Sequence, residues 1–71
     1  MAISVTAPMV GKVLELQCKV GDQVQEDEVL LVLEAMKMEI PVVAPAAGVV
    51  KELKVSPGDT VESDTVLAII E

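Results

Sequence analysis

Five consecutive apolar residues, Val29-Leu30-Leu31-Val32-Leu33, recur later in the chain as Val66-Leu67-Ala68-Ile69-Ile70, and a glutamate follows each run. Runs this short and uninterrupted predict strands and not helices, and apolar character at every position predicts burial on both faces. Upstream of each run, Leu16-Gln17-Cys18-Lys19-Val20 and Leu53-Lys54-Val55 alternate apolar with polar residues, as half-buried strands do. Val13 and Val50 break that phase, three residues before Leu16 and Leu53, which predicts a bulge or a strand passing from one sheet to another. Gly21-Asp22 and Gly58-Asp59 read as structural turns in which glycine permits φ > 0. Ala2 to Thr6 form a short β-prone lead-in that ends in a bend at Ala7-Pro8, since proline cannot donate to a central ladder.

The recurrence is systematic. At an offset of 44 − 7 = 37, residues 7–34 align with residues 44–71 without a gap, and 13 of the 28 pairs are identical. Each copy reads strand, Gly-Asp turn, short strand, strand. Such a half cannot bury an apolar face alone, so the two must pack on each other. The expected fold is all-β, a pseudo-twofold flattened barrel or sandwich of two small antiparallel sheets, with residues 1–71 as a single domain.

The copies part company after Glu34, where the chain continues into Ala35-Met36-Lys37-Met38-Glu39, while the second copy ends at Glu71. With an apolar run before it and the β-branched Ile40, Val42 and Val43 after it, this stretch predicts a hairpin with Lys37 at the tip. Its turn chemistry is wrong for the type: two-residue hairpins want φ > 0 at their central positions, hence Asn-Gly or Asp-Gly, and no glycine is present. A broken local rule marks a candidate functional site. The pseudosymmetry places Lys37 far from the loops near Ala44 and places the C-terminus at an equivalent opposite position.

Composition narrows the chemistry. A hydrophobic fraction of 52% with no Phe, Trp or Tyr means a core of Val, Leu, Ile, Met and Ala, whose β-branched members favour strands. The net charge of −7, from five Lys and twelve Asp and Glu, argues against a nucleic-acid surface, because too few cations face a run of phosphates. Apolar runs of five residues fall far short of the roughly 20 that a membrane helix needs, and no signal segment opens the chain, so the expected place is the cytoplasm and no membrane partner is expected. Cys18 is the one cysteine; it is expected on a strand, where the second copy has Val55, as a small buried hydrophobe. With no His, no second Cys and no phosphate-cradling glycine loop, the parts for nucleophilic, metal or hydride chemistry are missing, and no catalytic or metal-ligating residues are expected.

Ala35-Met36-Lys37-Met38 resembles the attachment motif of biotinyl domains, the biotin carboxyl carrier proteins, in which the central lysine is amide-linked to biotin. Pro8, Gly11, Gly21-Asp22, Gly48 and Gly58-Asp59 also resemble that family's pattern, so the likeness covers nearly the whole chain. It implies that a biotin protein ligase holding biotinyl-adenylate modifies Lys37. It further implies that the biotin is carboxylated on its ureido ring by a biotin carboxylase, using ATP and bicarbonate, and carries the carboxyl group as carboxybiotin to a carboxyltransferase. The carrier would be a non-catalytic part of a biotin-dependent carboxylase, decarboxylase or transcarboxylase. Met36 and Met38 are either gap-filling residues or exposed, polarizable contacts for these enzymes. Glu34 and Glu39 keep the tip soluble and deter edge pairing, and a part for Glu34 in ligase recognition stands beside the simpler fact that symmetry supplies Glu71 in the same place. The gapless repeat leaves no room for the protruding thumb of bacterial acetyl-CoA carboxylase carriers, which favours the thumbless domains of propionyl-CoA, pyruvate and related enzymes. Met1 is compatible with a free-standing protein or an excised domain.

Two other functions fit the same pattern. A lipoyl domain would carry its lysine on the same hairpin, but such domains usually show Asp-Lys-Ala, where this chain has Met36-Lys37-Met38. An unmodified β-sandwich module docking a protein through its hairpin is the third reading.

Overall fold

The computed structural model describes residues 2–71. Its strands are β1 (Ile3–Thr6), β2 (Gly11–Leu16), β3 (Gln23–Val24), β4 (Val29–Ala35), β5 (Met38–Val43), β6 (Gly48–Leu53), β7 (Thr60–Val61) and β8 (Val66–Ile70), and no described residue is helical. They form two antiparallel four-stranded sheets, in the orders β1-β8-β6-β3 and β5-β4-β2-β7. The offset of 37 carries β1, β2, β3 and β4 onto β5, β6, β7 and β8, so one sheet is the image of the other. Each sheet takes two strands from either half of the chain. The halves are therefore interleaved, and the apolar face of each is completed by strands of the other.

The symmetry reaches further upstream than the repeat of 7–34 and 44–71. Ile3–Thr6 corresponds to residues 40–43, with Ile3/Ile40 and Val5/Val42 identical and both valines buried. Only Val and Ile recur there, which is a weak signal in a chain so rich in both.

Paired turns close the two halves on each other. Gly21 and Gly58 both have φ of 96°, with Val20 and Pro57 before them, as in type II turns. The Asp22 and Asp59 carboxylates accept hydrogen bonds from the Lys19 and Ser56 backbone N–H at 3.0 and 2.9 Å. Gly21 then donates its N–H to the Val50 carbonyl and Gly58 donates to that of Val13, each at 2.8 Å. A turn of one half is thereby stitched to the strand of the other. A Cβ on either glycine would meet nothing within 4 Å, so the cost of a side chain is conformational and not steric. Gly21→Val and Gly58→Val are each expected to cost more than about 1 kcal/mol in urea unfolding; a parental stability for both would contradict the φ > 0 assignment.

Asp27 and Asp64 occupy the left-handed region as well, each at φ 69°. They are an identical pair in the repeat whose role the sequence did not reveal; aspartate is one of the few side chains that tolerates this region. Their N–H groups donate to the carbonyls of the buried Ala44 and Ala7.

The expected phase break is present in both halves: the β2–β4 register slips between Val13 and Glu15 and the β6–β8 register between Val50 and Glu52. Burial on both faces of the apolar runs is not observed. Leu30 and Leu31, like Leu67 and Ala68, are adjacent and fully buried, while Val32 and Ile69 on the other face are only half-buried and Val29 is exposed. Register slips explain this, between Val29 and Leu31 against β5 and between Val66 and Ala68 against β1, since a residue added on one strand turns two neighbours toward the same side. Cys18 is also corrected. β2 ends at Leu16, so Cys18 lies in the irregular backbone just past the bend at Gln17 and not on a strand. It is buried among the core residues as a free thiol, and burial, with Asp22 and Glu28 nearby, pushes that thiol up from its ordinary pKa.

The molecule measures 32 × 17 × 17 Å.

Candidate functional site: the Met36-Lys37 hairpin

β4 and β5 pair through Leu33↔Ile40, Glu34↔Glu39 and Ala35↔Met38, leaving Met36 and Lys37 as the whole of the connection. Their φ values are 51° and 65°. Positive φ at both central residues is the signature of a type I′ turn, the geometry whose twist matches that of the flanking strands. Neither residue is one that favours it. Left-handed backbone costs an L-residue roughly 1–2 kcal/mol, so the two together are a strained pair held by their surroundings.

The surroundings are specific. Leu33 is fully buried and Ala35 nearly so, which anchors β4 up to the last residue before the turn. On the inner side β2 comes in close: a Cβ on Gly11 would stand 2.8 Å from the Glu34 carbonyl oxygen and 3.4 Å from the Ala35 Cβ. Only glycine permits that approach without a shift. Its pseudosymmetric mate Gly48 is also closely packed, a Cβ there standing 2.6 Å from Ile70 Cγ2 and 3.1 Å from the Glu71 carbonyl oxygen, at the place where the second copy has no hairpin.

Lys37 is exposed and makes no ion pair among the described residues; the pair that is formed joins Lys54 to Glu52 at 2.8 Å. Met36 and Met38 are 86% and 64% exposed, which removes the gap-filling reading of both. Glu34 and Glu39 are exposed and directly opposed, and Lys12 faces Glu34 from β2. Opposed like charges disfavour the pairing slightly, so these glutamates are not there to stabilise the hairpin. The remaining lysines lie elsewhere: Lys12 and Lys51 on β2 and β6, Lys54 just past β6, and Lys19 in the Gly21 turn.

The far end of the molecule carries the matching position. β1 and β8 pair through Ile3↔Ile70, and Glu71 exchanges backbone hydrogen bonds of 2.9 Å with Val49. Glu71 thus stands where symmetry would put a second hairpin, as expected. Ala44, bonded to the Glu28 carbonyl, sits at the foot of β5, the six residues of Met38–Val43 away from the tip.

Comparison with known proteins decides the family. The sequence model described as "Biotin-requiring enzyme" for biotin and lipoyl domains matches residues 3–70. The chain belongs to the biotin/lipoyl attachment family. Among members of this family, the glutaconyl-CoA decarboxylase subunit gamma of Acidaminococcus fermentans is 53% identical over 38 residues, which are 54% of this chain and 26% of that protein. A homolog of biotinylated protein TB7.3 from Mycobacterium leprae is 51% identical over 41 residues, 58% of each chain. The chain thus matches between about a quarter and three-fifths of the length of these relatives. The Kluyveromyces lactis urea carboxylase contains the same fold, with a TM-score of 0.95 at 30% identity over all of this chain and 6% of that one. The lipoyl domain of the Azotobacter vinelandii 2-oxoglutarate dehydrogenase complex also superimposes, with a TM-score of 0.82 at 32% identity over 97% of this chain and 95% of that one. The backbone is therefore shared with a carboxylase and with a lipoyl domain alike, and the residues on the turn have to discriminate between biotin and lipoate.

Proposed function

We propose that this biotin/lipoyl attachment domain is a biotin carboxyl carrier and that Lys37 is the residue to which biotin is joined. The observation that carries the reading is a lysine raised on a strained two-residue turn between two exposed methionines, at one end of an elongated β-sandwich. The Met36-Lys37-Met38 sequence and the relative named as a biotinylated protein favour biotin over lipoate.

In this reading the chain contributes position. Lys37 Nζ loses a proton and attacks the acyl carbon of a ligase-held biotinyl-adenylate; the new bond is an amide, and the adenylate leaves. Bound biotin supplies a ureido ring that accepts and releases a carboxyl group. The Met36-Lys37 turn keeps the arm clear of both sheets, and the tether holds it at an effective concentration near each partner site, so that cargo is not lost by diffusion. Met36, Met38 and Ala35 form the recognised tip, with Glu34 a further contact for the ligase. The partners are a biotin protein ligase, a biotin carboxylase and a carboxyltransferase, and the domain itself is non-catalytic. No described helix is long and apolar enough to cross a membrane. The acidic charge and the single buried thiol fit a carrier working in the reducing cytoplasm.

Intact mass after co-expression with biotin ligase and biotin is expected to rise by one biotinyl increment, mapped by peptide analysis to Lys37, with Lys12, Lys19, Lys51 and Lys54 free. Modification of the folded protein by a lipoyl ligase and not by the biotin ligase would establish the lipoyl reading. Absence of either adduct would leave the hairpin as a protein-docking element.

A further inference from the structure

The repeat provides an internal control for which surface residues the fold needs. Across its 28 aligned pairs, Met9 and Val10 face Ala46 and Ala47, and the two segments have equivalent positions, each running from a buried alanine to a closely packed glycine. At the end of the molecule without the hairpin two alanines suffice. At the lysine end the same places carry Met9 and Val10, which are 38% and 62% exposed. Large apolar side chains that the fold does not require, left in water, mark a contact surface. Their location is set by Gly11, which follows Val10 and lies against Glu34 and Ala35, immediately below the turn.

We propose that Met9 and Val10 extend the Met36-Met38 tip into one apolar recognition surface for the biotin ligase, a reading that rests on Lys37 being the attachment residue. The choice of the ligase over the carboxylase follows from reach. The unmodified lysine offers only its four-carbon stem, on the order of 6 Å long. An enzyme acting on its amine must therefore come down onto the turn and touch what surrounds it. Once biotin is attached the reacting ring stands further out, and a carboxylase can serve it with less contact to the domain.

Met9→Ala/Val10→Ala installs the residues that the pseudosymmetric site already tolerates, so the fold is expected to persist, with an unchanged urea midpoint as the check. Steady-state biotinylation by the ligase should show kcat/KM lowered about tenfold or more through KM, with kcat near the parental value, as for lost apolar contact in binding. Ala46→Met/Ala47→Val should label as the parent does. Parental kcat/KM for Met9→Ala/Val10→Ala, or equal slowing by the Ala46/Ala47 variant, would overturn the proposal. So would normal labelling followed by poorer turnover of the biotinylated variant by biotin carboxylase, which would give the surface to that enzyme. A parent that never labels on Lys37 would instead defeat the carrier reading itself, and this inference with it.

Discussion

Exchanging the two turn residues, Met36→Lys with Lys37→Met, is expected to lower the initial rate of ligase-catalysed biotinylation by at least about a hundredfold, the scale of loss when an attacking atom is displaced by an ångström or more. Composition and charge of the tip do not change. Both residues are unbranched and exposed, and both positions are left-handed, so the strain of the turn and the packing beneath it should also be preserved. What changes is the direction of the amine, because successive positions of a type I′ turn send their side chains to different sides of the hairpin. Circular dichroism and urea unfolding should match the parent. Lys37→Arg should give no product at all, since a guanidinium is not deprotonated in proteins and cannot act as the acceptor. If the exchanged variant were folded and labelled at the parental rate, exposure alone would select the lysine and the role given to the turn would be wrong.

Leu30→Ala and Leu67→Ala should each lose roughly 2–5 kcal/mol of stability, the usual range for a buried leucine cut back to a methyl group. Both side chains are fully buried, and they are mates in the repeat. Without any aromatic residue the core has no larger side chain to close over the gap. A 71-residue domain buries proportionately little surface, so a loss of this size would bring it close to unfolding. Because the sequence lacks Trp and Tyr, the transition has to be followed by circular dichroism. Two midpoints lowered by similar amounts with an unchanged m-value would support an equivalent core in the two halves; a cost below about 1 kcal/mol for either would contradict it.

Several local features were legible in the sequence because a single residue type carries them. Glycine at 21 and 58 announces φ > 0 wherever it recurs before aspartate, and both turns are found. Val13 and Val50 stand out of phase with Leu16 and Leu53, and both register slips are found. Met36 and Lys37 announced themselves by being the wrong residues for a tight hairpin, and the structure holds both at positive φ. Other features left no such mark. The alternating pattern of the strand ending at Leu16 runs on through Cys18, where the ladder has already stopped, because alternation of side chains does not mark where backbone pairing ends. Continuous apolarity from Val29 to Leu33 was compatible with two buried faces or with one face and a bulge, and composition does not distinguish them.

The sequence by itself determined that the molecule is made of two like halves, that they are built from strands, and that Lys37 stands where the likeness breaks, because repeated residues impose repeated turns and a residue run without a counterpart has to lie outside the symmetry. Only the tertiary structure decided that each sheet is assembled from both halves, that Gly11 lets β2 close beneath the turn, and that Met9 and Val10 reach the same end of the molecule as Lys37. These are contacts between segments distant in the chain. They depend on which strand pairs with which and how closely, and hydrogen bonding of backbone to backbone is nearly indifferent to the side chains from which a sequence is read.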